Sequence, residues 1–271
     1  MDNLKNEVHD FWSKASCGED LYLKGESEKQ MYINQTNERY KLEPEILRFA
    51  NFDIGKNKKV LEIGVGLGSD HQRWAESGAE LYGCDLTQRA VSHTENRLKI
   101  FGLKSNLMVG DAENLKYPEN YFDIVYSWGV IHHSPNTEKA VNEIRRVLKP
   151  NGIAKIMIYH TYSVVGFMLW VRYALLKFRP FYGLKNIYNN YLESPGTKAY
   201  SYNDARTLFK EFKILSIESP LSHGDLLSKG VGQRHSGFIL QIAKRIFPRK
   251  LIKLLFPQNG LYLMLKLQKV M

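Results

Sequence analysis

The run Val60-Leu61-Glu62-Ile63-Gly64-Val65-Gly66-Leu67-Gly68 constrains this chain more than any other feature. Residues 58–64 are a short apolar stretch that ends in glycine, which predicts a buried strand. Residues 69–77 predict a helix, closed by Gly78. A glycine loop between a strand and a helix turns the free N–H groups of the helix start toward a ligand, and its glycines permit positive φ and close backbone approach. The glycines fall as GxGxG, with Ser69 where a dinucleotide site would want its third glycine for packing around a pyrophosphate. Glu62 sharpens the reading, because a carboxylate here repels a pyrophosphate but can pair with the ammonium of a zwitterionic amino acid, directly or through water.

Downstream, strands and helices alternate. Strands are predicted at 80–85, 105–110, 121–127 and 152–159, and helices at 88–101 and 137–148, closed by Gly102 and by Pro150-Asn151-Gly152. This alternation specifies βαβ units, a parallel sheet and right-handed crossovers. Past Tyr159 it stops. A helix is predicted at 203–210, a sixth strand at 212–217, a glycine-rich loop at 220–238, two short basic helices split by Pro248 at 238–256, and a seventh strand at 260–269. The expected fold is α/β: a Rossmann-like, seven-stranded, mostly parallel sheet with helices on both faces and helical cap insertions. The expected parts are an N-terminal helical lid (1–50), a ligand-binding core (51–160), an aromatic cap insertion (161–202), and a C-terminal part of the core (203–271) with a basic insertion at about 220–258.

Two further acids end strands. Asp85 closes the second, where a carboxylate can accept both ribose hydroxyls. Asp111 follows the third, where it can accept from an adenine amino group. Glu62, Asp85 and Asp111 therefore line one crevice at the carboxyl ends of the strands, where ligands bind in open α/β sheets.

These motifs resemble the class I S-adenosyl-L-methionine (SAM)-dependent methyltransferase family. The matching residues are VLEIGVGLG (60–68), GCD (83–85), GDAENL (110–115), YFDIVYSWGVIHH (121–133) and LKPNG (148–152), within roughly residues 40–160. The resemblance implies SAM as cofactor. Gly64, Gly66 and Gly68 would pass under its methionine part. Asp85, with Leu86 beside it, would hold the ribose. Asp111 and Ala112 would border the adenine, and Ser127 and Trp128 would lie near the sulfonium. The seventh strand would run antiparallel between the fifth and sixth.

SAM is already reactive, so the protein's task is to align an acceptor and exclude water. A hydroxyl acceptor also needs a base, and histidine titrates in the useful range. His132 and His133 follow the fourth strand and His160 the fifth, which makes them the catalytic candidates. Tyr159, Arg234 and His235 are the candidates for substrate contact. Arg39 and Tyr40 would reach the SAM carboxylate if the N-terminal helices fold over the site. No metal is expected: His132, His133, His160 and Asp85 are not spaced as ligands, and nothing resembles HExxH. The expected reaction is O-methylation of a small-molecule, glycan or lipid-linked acceptor, which an aromatic cap with Phe167, Trp170, Tyr173, Phe178, Phe181 and Tyr182 would suit.

Charge enters through its asymmetry. The chain of 271 residues has a formal net charge of +10. No acid follows Asp225, while nine Lys and Arg do, so residues 1–225 are close to neutral. A basic C-terminal region with Phe247, Leu251, Leu254, Leu255 and Phe256 suits peripheral contact with an anionic membrane. Its charge alone would suit a nucleic-acid methyltransferase. Against that, Ser127-Trp128-Gly129-Val130 stands where base-amino methyltransferases carry an Asn/Asp-Pro-Pro-aromatic run, and nucleic acid is not the expected partner. A non-enzymatic SAM-binding protein would be expected to lose carboxylates, and a nicotinamide oxidoreductase is disfavoured by Glu62 and Ser69. The longest apolar stretch, 164–176, is interrupted by Arg172 and is shorter than the roughly 20 residues of a spanning helix. No secretory signal is expected at the N-terminus. Cys17 and Cys84 form no CxxC pair, so the expected location is a reducing cytoplasm, including the inner membrane face.

Overall fold

A computed structural model describes residues 3–228, 245 and 247–270. The chain opens with four helices, α1 (Asn3–Lys14), α2 (Glu19–Tyr22), α3 (Glu28–Leu42) and α4 (Glu45–Ala50). The core follows as β1 (Lys59–Ile63), α5 (Ser69–Glu76), β2 (Glu80–Asp85), α6 (Gln88–Ile100), β3 (Asn106–Val109), β4 (Phe122–Trp128), α7 (Thr137–Val147) and β5 (Leu148–His160). The cap is α8 (Val164–Tyr173) and α9 (Leu184–Tyr191). The chain then runs through β6 (Ala199–Tyr200), α10 (Tyr202–Leu208), β7 (Phe212–Glu218), α11 (Arg249–Leu255) and β8 (Tyr262–Lys269).

The strands form one sheet in the order β3-β2-β1-β4-β5-β8-β7, with β6 on β5. The first five are mutually parallel, and β8 is antiparallel to both β5 and β7. The α/β Rossmann-like architecture and the reversed strand between β5 and β7 are as expected. The sheet has eight strands rather than seven. The extra one is β6, whose two residues pair Ala199 with Tyr159 and Tyr200 with His160, too short a run for alternation to register.

Both faces of the sheet are buried, as parallel sheets require. Tyr126, Trp128, Met157, Tyr159, Tyr262 and Met264 point into one hydrophobic layer with Ile46, Phe49 and Trp74. Val125, Ile156, Ile158, Leu263 and Leu265 point into the other with Ile144, Phe209 and Phe212. Helix starts are fixed by side-chain caps: the backbone N–H of Gln30, Ala90, Lys139 and Gly166 donates to Ser27, Thr87, Asn136 and Ser163, and Ser201 with Asp204 makes a capping box.

The N-terminal helices are tied to the core by buried charge. Fully buried Arg97 of α6 donates to Tyr32 O, Gln35 Oε1 and Thr36 Oγ1 of α3 and to Ser69 Oγ. Asp70 of α5 accepts from Arg39, Tyr40 and Tyr126. The cap is less buried than an aromatic stripe suggests. Tyr173 stacks on Tyr191 at 4.1 Å, but Phe178 is 95% and Phe181 99% exposed. Of the two basic helices expected around Pro248, α11 is present, and most of the first lies outside the described residues. No helix among the described residues is long and apolar enough to cross a membrane.

Candidate active site

The carboxyl ends of β1, β2, β3 and β4 and the N-terminal helices enclose one cavity of about 1210 Å³. Ordinary small-molecule sites measure roughly 300–1,000 Å³, so there is room for a cofactor and a second molecule. Glu62, Gly64, Gly66, Gly68, Asp85, Leu86, Asp111, Ala112, Trp128, His133 and Tyr159 all line it.

The glycine loop is built by positive φ at each glycine, +83° at Gly64, +52° at Gly66 and +76° at Gly68. A Cβ on Gly64 would lie 2.1 Å from Val130 Cγ2, and one on Gly68 2.9 Å from Thr94 Oγ1. Gly66 has no atom within 4 Å of such a Cβ, so its bare backbone faces the cavity. Asp85 braces the loop, accepting from Gly66 N at 3.2 Å and from Thr87 N and Oγ1 at 3.0 Å. Oδ1 is filled by the two Thr87 donors, and Oδ2 keeps a lone-pair direction for a ligand hydroxyl.

Glu62 is buried and lies 2.9 Å from His71 Nδ1, whose other nitrogen meets Ser105 Oγ at 2.8 Å. Burial pushes the Glu62 carboxyl up, with Asp70 adding to it, and pushes the His71 imidazole down to about 3. An approaching ammonium would favour the ionised carboxylate. Asp111 is held by Lys5 of α1, whose ammonium lies 2.8 Å from Asp111 Oδ2 and 2.8 Å from Glu113 Oε2. Lys5, Trp12 and Glu193 also line the cavity. No spacing in the sequence points to them, since they come from α1 and the cap.

Arg39 and Tyr40 do not hold themselves free for a ligand carboxylate: both donate to Asp70, and Arg39 also pairs with Glu43 at 3.3 Å. Ser127 needs a correction. Its side chain is fully buried with no hydrogen-bond partner, and it does not line the cavity, because alternation along β4 turns it to the opposite face from Trp128.

The three histidines separate. His133 lines the cavity, with Nδ1 2.8 Å from Ser194 Oγ and 3.1 Å from Thr197 Oγ1, and Nε2 3.3 Å from Glu193 Oε2. Glu193 in turn accepts from the Tyr159 hydroxyl at 2.7 Å, and Trp12 packs edge-on against the His133 ring at 5.4 Å. His132 is fully buried between His133 and Tyr159, and neither of its nitrogens has a partner. Burial holds it neutral, well below its usual range. His160 is removed from the candidate bases, since it lies off the cavity with Nδ1 on Gly260 O and Ser219 Oγ. Arg234 and His235 lie outside the described residues. Nitrogen and carboxylate atoms of His132, His133 and Glu193 fall within 4.8 Å of one another, close enough to share a metal ion. The sequence spacing does not bring this grouping together, because Glu193 arrives from the cap.

Fold and site together define a Rossmann-like domain with one large cavity at the ends of its parallel strands. Residues 61–156 match the family described as a methyltransferase domain. Over 106 residues the chain is 34% identical to a sterol 24-C-methyltransferase of Gibberella zeae, covering 38% of this chain and 28% of that one. Over 116 residues it is 34% identical to a phosphoethanolamine N-methyltransferase of Caenorhabditis elegans, covering 42% and 26%. The matched stretch thus spans less than a third of either relative. A putative SAM-dependent methyltransferase of Listeria monocytogenes shares the fold, with a TM-score of 0.58 at 15% identity over 85% of this chain and 97% of that one. Residues 61–156 are therefore a methyltransferase domain of the SAM-dependent kind.

The bare face of Gly66 makes a direct test of where that cofactor lies. Gly66→Ala meets no protein atom, so it is expected to cost folding only about 1–2 kcal/mol for a left-handed alanine. It is expected to weaken binding of S-adenosylhomocysteine (SAH) at least tenfold, roughly 1.4 kcal/mol. Unchanged affinity by calorimetry would move the cofactor off the loop. Gly64→Ala, which collides with Val130, is expected to destabilise the fold itself.

Proposed function

We propose that this protein transfers the methyl group of SAM to a hydroxyl of a small-molecule, glycan or lipid-linked acceptor, with His133 taking the proton. SAM, when bound, supplies an electrophilic methyl on its sulfonium. The glycine loop and Asp85 would hold the methionine and ribose parts, Glu62 would face the ammonium, and Asp111 with Ala112 would border the adenine. Trp128, Tyr159 and the aromatic side chains of α1 would exclude water around the acceptor.

The observation that carries this reading is the setting of His133. Of His132, His133 and His160 it alone lines the cavity; its Nδ1 is steadied by Ser194 and Thr197, and its Nε2 stands beside Glu193. With Nδ1 bonded to Ser194, Nε2, which has no hydrogen-bond partner among the described residues, would take the acceptor's proton, and Glu193 would stabilise the imidazolium so formed. Both cysteines are unpaired, which suits a cytoplasmic setting.

Calorimetric titration with SAH, run beside NADH, tests the cofactor half. Micromolar SAH binding and no NADH binding is the expected result; the reverse would overturn it. Asp85→Ala is expected to weaken SAH by roughly 1.5–3 kcal/mol, the scale of a lost hydrogen bond to a charged group. The acceptor half is tested by screening hydroxylated small molecules and lipid-linked sugars for SAH release. Turnover only with amine or carbon acceptors would replace the hydroxyl reading.

A further inference from the structure

The segment between α8 and α9 is the least buried apolar part of the described chain. Phe178 and Phe181 are 95% and 99% exposed, and Leu176 is 67% exposed. Exposed Arg172, Lys177, Arg179 and Lys185 are interspersed with them, and no acid occurs between 161 and 192. The helix α11 has the same character. It buries no residue, Leu254 is 76% exposed, and Leu251 and Leu255 are also exposed, with exposed Lys250 and Lys253 beside them. A helix resting on a protein core would bury one face.

The two segments share one edge of the molecule. Phe247, just before α11, lines the cavity together with Phe167, Arg172, Leu176 and Lys177 of the cap. Just beyond α11, Asn259 bonds Tyr162 O through its side chain and Val164 N through its carbonyl, at the start of α8. The basic, apolar rim is therefore also part of the cavity wall.

We propose that this rim docks on an anionic lipid bilayer and that the cavity takes its acceptor, an amphiphile, from that surface. Exposed aromatic and leucine side chains interleaved with lysines and arginines match the interfacial region of such a membrane in both apolarity and charge. Soluble surfaces rarely expose such side chains together. The identity of the acceptor rests on the methyltransferase reading above, whereas the docking does not.

The experiment is co-sedimentation of the full chain with vesicles of phosphatidylglycerol and phosphatidylethanolamine, and with vesicles of phosphatidylcholine alone. Wild type is expected on the anionic vesicles, less on the neutral ones, and to come off as salt is raised. F178S/F181S and K250E/K253E change exposed side chains. Each is expected to lower binding by about tenfold, the effect of withholding one or two large apolar groups or reversing two charges near the surface. SAH binding by both variants is expected to match wild type, which shows that they fold. No vesicle binding by wild type, or equal binding by the variants, overturns the proposal. A wild-type dimer in ultracentrifugation that F178S/F181S dissolves would assign the rim to a second copy instead. A failure of wild type to bind SAH would sink the methyltransferase reading and leave the vesicle result standing.

Discussion

Replacing Asp70 with alanine is expected to lower the stability of the protein by about 3 kcal/mol, the low end of what breaking a buried ion pair costs. Asp70 is buried, and its two oxygens receive the Arg39 guanidinium at 2.9 and 3.3 Å, the Tyr40 hydroxyl at 3.0 Å and the Tyr126 hydroxyl at 2.8 Å. Those donors come from α3 and β4, so one carboxylate joins the N-terminal helices to the sheet. Its loss leaves the guanidinium to Glu43 alone and strands two hydroxyls in the core. Arg39 keeps some contact with the cavity, its side chain being 22% exposed, which is why the low end applies. Asp70→Asn retains shape and one acceptor oxygen and is expected to cost less than the alanine variant. Urea unfolding followed by tryptophan fluorescence measures both. A loss below about 1 kcal/mol for alanine, within the reach of surface hydrogen bonds, would mean that this junction does not hold the lid.

Replacing His133 with alanine is expected to lower kcat by about 100-fold or more, the range of a general base, with SAH affinity unchanged. The measurement is SAH release at saturating acceptor. An unchanged rate would mean that the acceptor loses no proton in the transition state, as for a nitrogen with a free lone pair. His132 is the matched control. Its ring is buried with both nitrogens unpaired, which costs free energy in the native state. His132→Leu, of similar volume, is therefore expected to hold or raise stability, and its kcat should stay near wild type. A collapse in kcat for His132→Leu with the fold intact would move the chemistry from His133 to the buried ring, or to a metal shared by His132, His133 and Glu193.

Much of the framework was legible in the chain because it depends on short-range physics. Alternation between strand and helix periods, glycines where φ is positive and acids at strand ends placed Glu62, Gly64, Gly66, Gly68, Asp85 and Asp111 around one cavity. Within β4, alternation also separates Ser127 from Trp128, yet a resemblance matched as a continuous motif carried both into the site. A two-residue strand such as β6 leaves no periodic trace.

The sequence by itself determined the class of fold and the edge of the sheet where the cavity lies. Each of these is set by local periodicity, turn geometry or charge within a few residues of one motif. Only the tertiary structure decided which histidine meets the cavity, which acids are already paired and what the cap leaves bare. His133 is distinguished from His132 by a one-residue rotation on a 3₁₀ turn, and from His160 by the packing of the chain around Gly260. Its partner Glu193 lies 60 residues further along the chain. Contacts of that separation are fixed by which layers close on one another, and neither composition nor spacing records that.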